Sequence, residues 1–138
     1  MKKIASILAP ALLIATAATG YAAAQGGGGG IAALGKIERG EWQLRSADGS
    51  TRSICVTDPQ MLLQLEHRGI ACSRFVVENG PTVGRVTYSC PGVGNGATRV
   101  VVETPRLIRL ETQGITRGLP FTYEYEGRRV GPCTSASR

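Results

Sequence analysis

Between Leu119 and Gly127 the side chains alternate. LPFTYEYEG sets Phe121, Tyr123 and Tyr125 on one face and Thr122, Glu124 and Glu126 on the other, the period of a half-buried β-strand. GEWQLRS (40–46) and TRSICVT (51–57) also read as strands, joined by ADGS, whose Asp48-Gly49 is a two-residue hairpin signal. With that turn as centre, Trp42 falls opposite Cys55 and Leu44 opposite Ser53. Two more strands, 72–78 and 84–90, flank Asn79-Gly80-Pro81. ATRVVVET (97–104) and RLIRLET (106–112) have the β-branched content of strands with Pro105 between them, but neither face alternates cleanly enough to set a register. PGVGNG (91–96) and QGITRG (113–118) read as loops, and RRVGPC (128–133) closes the fold.

The helical period occurs once, in DPQMLLQLEHRGI. Asp58 is placed to cap it, Pro59 suits the first turn, and Met61, Leu62 and Leu65 form the apolar stripe. Gly69 fits the left-handed position after a helix, with Ile70 returning to Leu65. Short strands, regular turns and one helix predict a mainly β fold: a single antiparallel sheet, curled or barrel-like, with one α-helix on one side.

The N-terminus changes the setting. MKKIASILAPALLIATAATGYAAAQ has a dilysine start, an apolar run and a small-x-small pattern at Ala22-Ala23-Ala24, the three parts of a secretory signal. Residues 1–24 are therefore expected to be a signal peptide, and no membrane span is expected after its removal. The run before Gly20 is shorter than the roughly 20 residues a span needs. Residues 25–36, with five glycines at 26–30, read as a flexible spacer. Residues 37–133 form the β-rich domain, and 134–138 a tail. The destination is the periplasm, an oxidising compartment. Without Lys2 and Lys3 the formal charge falls from +6 to +4, and the arginines are scattered. That excess favours solubility over dedicated nucleic-acid binding.

All four cysteines follow the leader, and an even number in an exported chain favours two disulfides. Cys72 and Cys90 lie equally far from Pro81, so a hairpin there sets them face to face, within disulfide reach. That leaves Cys55 with Cys133. The rival pairing joins Cys55 to Cys72 across the helix. No C-x-x-C is present, as a zinc site or a thiol oxidoreductase would need, so neither metal nor cofactor is expected.

Other candidate chemistry is thin. His67, the single histidine, sits in the last helical turn, where a partly positive ring suits the dipole; no nucleophile motif accompanies it. Gly92, Gly94 and Gly96 spell G-x-G-x-G, but no helix opens after them, and a turn explains them better. Glu38, Glu41 and Asp48 flank a hairpin without a catalytic pairing, and no catalytic residues are assigned. Phe121, Tyr123 and Tyr125, with Trp42, could line the mouth of a curled sheet and hold a small apolar ligand. More often such a stripe is simply core.

GEW at 40–42, CVT at 55–57, Cys72, VTYSC at 86–90 and GRRVGPC at 127–133 together resemble the domain-of-unknown-function family numbered 3617, small exported proteins of Gram-negative bacteria. The resemblance implies export and a four-cysteine framework, and brings no activity, cofactor or catalytic residue. The sequence thus points to a non-enzymatic envelope module that binds a ligand or an envelope protein. A hydrolase with an unfamiliar site around His67 or the tyrosines, and a structural protein assembling through a strand edge, are the alternatives.

Overall fold

The computed structural model describes residues 30–137; the expected leader and the glycines before Gly30 lie outside this range. Seven strands form one antiparallel sheet: β1 Gly40–Ser46, β2 Thr51–Val56, β3 Ser73–Asn79, β4 Val83–Cys90, β5 Gly94–Thr104, β6 Leu107–Thr116 and β7 Leu119–Gly131. Their order is β2-β1-β7-β6-β5-β4-β3, so the sheet stays open, with β2 and β3 as its edges. β1–β2 is one hairpin and β3 to β7 a run of hairpins, with β7 returning beside β1. Only the β2–β3 connection must travel from one edge to the other. It does so across one face of the sheet, as the helical segment Pro59–His67, which touches β2, β4, β5 and β6.

That helical segment is 3-10 in character, two stretches meeting at Gln64 (φ −142°, ψ 52°), and not the α-helix expected. The expected signals at its ends do form. The Gln60 amide donates to Asp58 Oδ1 at 3.0 Å, and Gly69 takes φ +73°. The break at Gln64 has a polar cause. Its amide group donates to the Ile70 and His67 carbonyls, and its Oε1 accepts from Arg74 at 2.7 and 3.0 Å. The break also lets Leu62, Leu63 and Leu65 all turn inward, a wider apolar front than one α-helical stripe.

Order begins earlier than Ile37. Ile31, Ala33 and Leu34 are buried in the core, and a 3-10 turn over Ala32–Lys36 packs on β4 and β5, so residues 31–36 are an ordered part of the fold and not a spacer. At the other end, Ser135–Ser137 forms a 3-10 turn beside β2.

The β1–β2 register differs by one residue from the expected one. Trp42 faces Ile54, Leu44 faces Arg52, and Glu41 faces Cys55. The Asp48-Gly49 pair does not make a two-residue turn. Ser46 accepts from the Gly49 amide at 3.0 Å, and Gly49 (φ +85°) ends a three-residue loop in the left-handed conformation. One extra loop residue moves every partner by one. The β3–β4 hairpin keeps the expected register, Arg74 with Tyr88 and Val76 with Val86, until a bulge before Glu78.

β5 and β6 are longer than the composition suggested, taking in Gly94–Gly96 and Gln113–Thr116 that read as loops. The β6–β7 turn is the pair Arg117-Gly118, both with positive φ (51° and 79°), which suits a tight hairpin.

Both disulfides form as expected, Cys72–Cys90 and Cys55–Cys133. Each ties an edge: the first joins the start of β3 to β4, and the second joins β2 to the segment after β7. Two disulfides suit an oxidising, non-cytoplasmic compartment. Among the described residues no helix is long and apolar enough to cross a membrane.

Candidate functional site

Strand pairing sorts the residues of β4 to β7 into rows across the sheet, alternating between two faces. The inner face, under the helical segments, carries the rows Val86–Thr98–Thr112–Tyr123 and Tyr88–Gly96–Gly114–Phe121. The proposed ligand-lining residues all belong to this face, and most are core. Trp42 is 0 % exposed, its indole Nε1 donating to the Glu38 carbonyl at 2.9 Å; Phe121 and Tyr125 are each 7 % exposed. Tyr123 alone reaches solvent, at 38 %. Phe121, Tyr123 and Tyr125 stack in a ladder with ring centroids 5.9 and 5.7 Å apart, while Trp42 stands apart from it on β1.

His67 is not a helix-end surface residue. Its ring is wholly buried, with Nδ1 3.2 Å from the Tyr88 hydroxyl, edge-on to Tyr88, and 6.0 Å from the Phe121 ring. Among the described residues Nε2 has no hydrogen-bond partner. The floor beneath this pair explains the G-x-G-x-G run. A Cβ on Gly94 would run into the Ile115 carbonyl of β6 and lie 2.8 Å from His67 Nε2, and one on Gly96 would lie 2.5 Å from Tyr88 Cζ and Oη. Gly92 (φ +75°) serves the turn, whereas Gly94 and Gly96 are strand residues that make room for rings. Burial, together with the nearby Glu66 charge, pushes the Tyr88 phenol up to about 12, against a hydrogen bond from Thr112. Thr112 and Thr98 share a hydroxyl–hydroxyl bond of 2.8 Å. A polar thread therefore runs through an otherwise apolar layer: His67, Tyr88, Thr112, Thr98.

Among the described residues no helix lies over the outer face. Its central row reads Arg85, Arg99, Glu111, Glu124 across β4, β5, β6 and β7, and the row beside it reads Ala97, Gln113, Thr122. Together they line a hollow of about 340 Å³. A second hollow, about 440 Å³, adjoins it through Glu111 and Glu124 and is bounded by Arg45, Arg109 and Glu126. In the row Arg109–Glu126–Arg45 opposite charges face each other. The Arg128 guanidinium, 2.8 Å away, and then Arg109 and Arg45 hold the Glu126 carboxyl below the usual carboxylate range. In the central row the only ion pair is Arg99–Glu111, at 3.6 Å. Among the described residues Arg85 and Glu124 have no ion-pair partner.

None of these four charged residues was singled out from the sequence. They come from four strands, and only the register aligns them. No group of His, Cys, Asp and Glu among the described residues is placed to hold a metal ion, and the thiols of Cys55, Cys72, Cys90 and Cys133 are all in disulfides. Comparison with protein-family models, curated proteins and solved structures finds no match to this chain.

Proposed function

We propose that this protein is an exported, non-enzymatic binding module of the bacterial cell envelope that uses the outer face of its sheet. The observation that carries this is the contrast between the faces: one is filled by helical segments and core, the other, uncovered by any of the described residues' helical segments, is indented by two adjoining hollows rich in charge. A sheet face that serves only to be wet needs no such hollows. The leader at residues 1–24 and the resemblance to family 3617 support export to the periplasm, and the disulfides suit it. An apolar ligand at the aromatic ladder is less well supported, since only Tyr123 is open to it.

The test is native mass spectrometry of protein isolated from its host, with Thr122→Trp as a plug for the first hollow. A small molecule retained by the wild type and lost in the plugged variant is the expected result. Equal retention by both, or none by either, would refute binding at this face.

A second reading, assembly through a strand edge, is favoured by one observation. Edge strand β3 shows Phe75 at 70 % and Val77 at 51 % exposure, and an open edge is a template for pairing. Sedimentation would show a concentration-dependent mass that Phe75→Lys abolishes. A hydrolase centred on His67 has less support, because that ring is wholly buried.

A further inference from the structure

The two charged rows of the outer face are built differently, though they share strands and solvent. In Arg109–Glu126–Arg45 each residue faces its opposite, the arrangement that favours pairing of strands. In the central row Glu78 of β3 faces Arg85, but Arg85 then faces Arg99, and Glu111 faces Glu124. Like charges set directly opposite oppose strand pairing. Exchanging Arg99 with Glu111 would give strict alternation, so the segregated order is not one that folding favours. Among the described residues it leaves Arg85 at one end of the first hollow, where it makes no ion pair with the facing Glu78, and Glu124 at the other end, also without an ion pair.

From this segregation we infer that the central row binds a short zwitterionic peptide of about three residues, with its carboxylate at Arg85 and its ammonium at Glu124. The inference rests on the outer-face binding function proposed above and specifies its ligand. Arg85 and Glu124 stand three strands apart, about 14 Å at the usual strand spacing. An extended tripeptide spans about 10 Å between its termini. A charge-assisted hydrogen bond of about 2.8 Å at each end brings the bound length to about 16 Å, within reach of two long side chains rooted about 14 Å apart. Arg85 can grip a carboxylate with two parallel N–H donors. Along the span, Gln113 and Thr122 offer donors and acceptors for peptide groups, and Ala97 leaves depth for the chain. A ligand with one charge would leave half of this row unanswered; a dipolar one answers both ends.

Calorimetric titration with trialanine at low ionic strength tests this, alongside N-acetyl-trialanine and trialanine amide. The proteins are the wild type, Arg85→Gln and Glu124→Gln, each checked for an unchanged thermal midpoint. Wild type should bind the free peptide and lose about tenfold in affinity, about 1.4 kcal/mol, when either terminus is capped. Glu124→Gln should be indifferent to acetylation and Arg85→Gln to amidation. Equal binding of free and capped peptides, or no binding of trialanine, would overturn the inference. If trialanine fails while Thr122→Trp still abolishes retention of a host ligand, only the peptide assignment falls. If that retention is absent as well, the proposed function falls with it.

Discussion

Neighbouring residues of β6 live in different worlds. Leu110 is 1 % exposed beneath the helical segment, while Arg109 and Glu111 on either side of it stand in solvent. The same division runs through β4, β5 and β7. Inward residues are chosen by volume: Gly96 lies where the Tyr88 ring must pass, Gly84 and Gly127 where Ile31 and Ile108 do, and Thr98 and Thr112 satisfy each other. Outward residues are free of that constraint, so an order among them that strand pairing does not favour stands out. The inner face shows what holds the sheet together, and the outer face is where the proposed binding would take place.

The largest expected effects come from the two sulfur links, one at a corner of each face. Cys72–Cys90 lies on the inner side with Tyr88 and Val86. Cys55, adjacent to inward Ile54 and Val56, faces the other way to meet Cys133. Their sequence separations are 18 and 78 residues. In the chain-entropy picture the longer loop contributes about 4.5 kcal/mol and the shorter about 3 kcal/mol. Thermal unfolding of the paired Cys→Ser variants should therefore rank Cys55/Cys133 as the more damaging, and the reverse order would show that native packing and not loop length governs.

Truncation within the layers comes next. Trp42→Ala should cost about 3–5 kcal/mol and Leu110→Ala about 2–5 kcal/mol. Gln113→Ala, on the same strand as Leu110 but facing out, should stay within about 0.5 kcal/mol. Urea midpoints would measure all three, and a comparable loss at Gln113 would erase the distinction between faces.

Overfilling sharpens the comparison from the other side. Gly96→Ala drives a methyl group into the Tyr88 ring and should cost about 1–3 kcal/mol. Gly35→Ala has nothing within 4 Å of the new methyl and should be neutral or slightly stabilising in calorimetric scans.

The last effect is a response to base. The folded protein keeps the Tyr88 proton up to about pH 12, whereas an unfolded tyrosine sheds it near pH 10. The native state therefore holds a proton that the unfolded chain has lost. Its contribution is intact below about pH 10 and declines between about 10 and 12. Urea midpoints across that window should fall for the wild type and fall less for Tyr88→Phe; parallel slopes would place the buried phenol in water instead.

Much of the frame was legible from the residues. Mirror spacing about Pro81 set the 72–90 hairpin and its bridge, because a cross-strand link demands facing positions. The alternation at 119–127 marked β7. Where legibility ended, a local cause is visible. Asp48-Gly49 reads as a two-residue turn, but the loop holds three, so the β1–β2 partners moved by one. β5 and β6 failed to alternate cleanly because their inward positions include Thr98, Thr112, Gly96 and Gly114, polar or small residues inside a core. Period-two glycines at 94 and 96 were a usable signal for bulky rings crossing a strand. The outer charged row was invisible, since its members are spread from residue 85 to residue 124 and no local pattern connects them.

The two links are nested, with Cys72 and Cys90 enclosed between Cys55 and Cys133. A chain is made from its N-terminus, so Cys55 meets Cys72 and Cys90 long before its true partner exists. An oxidant taking thiols in order of arrival would join Cys55 to Cys72, trapping the crossing segment before the sheet it must cross has been laid down. Reaching the native pairing then requires either that oxidation wait for the finished chain or that a thiol catalyst undo the first mistake. Production of this protein should depend more on reshuffling capacity than on oxidising power.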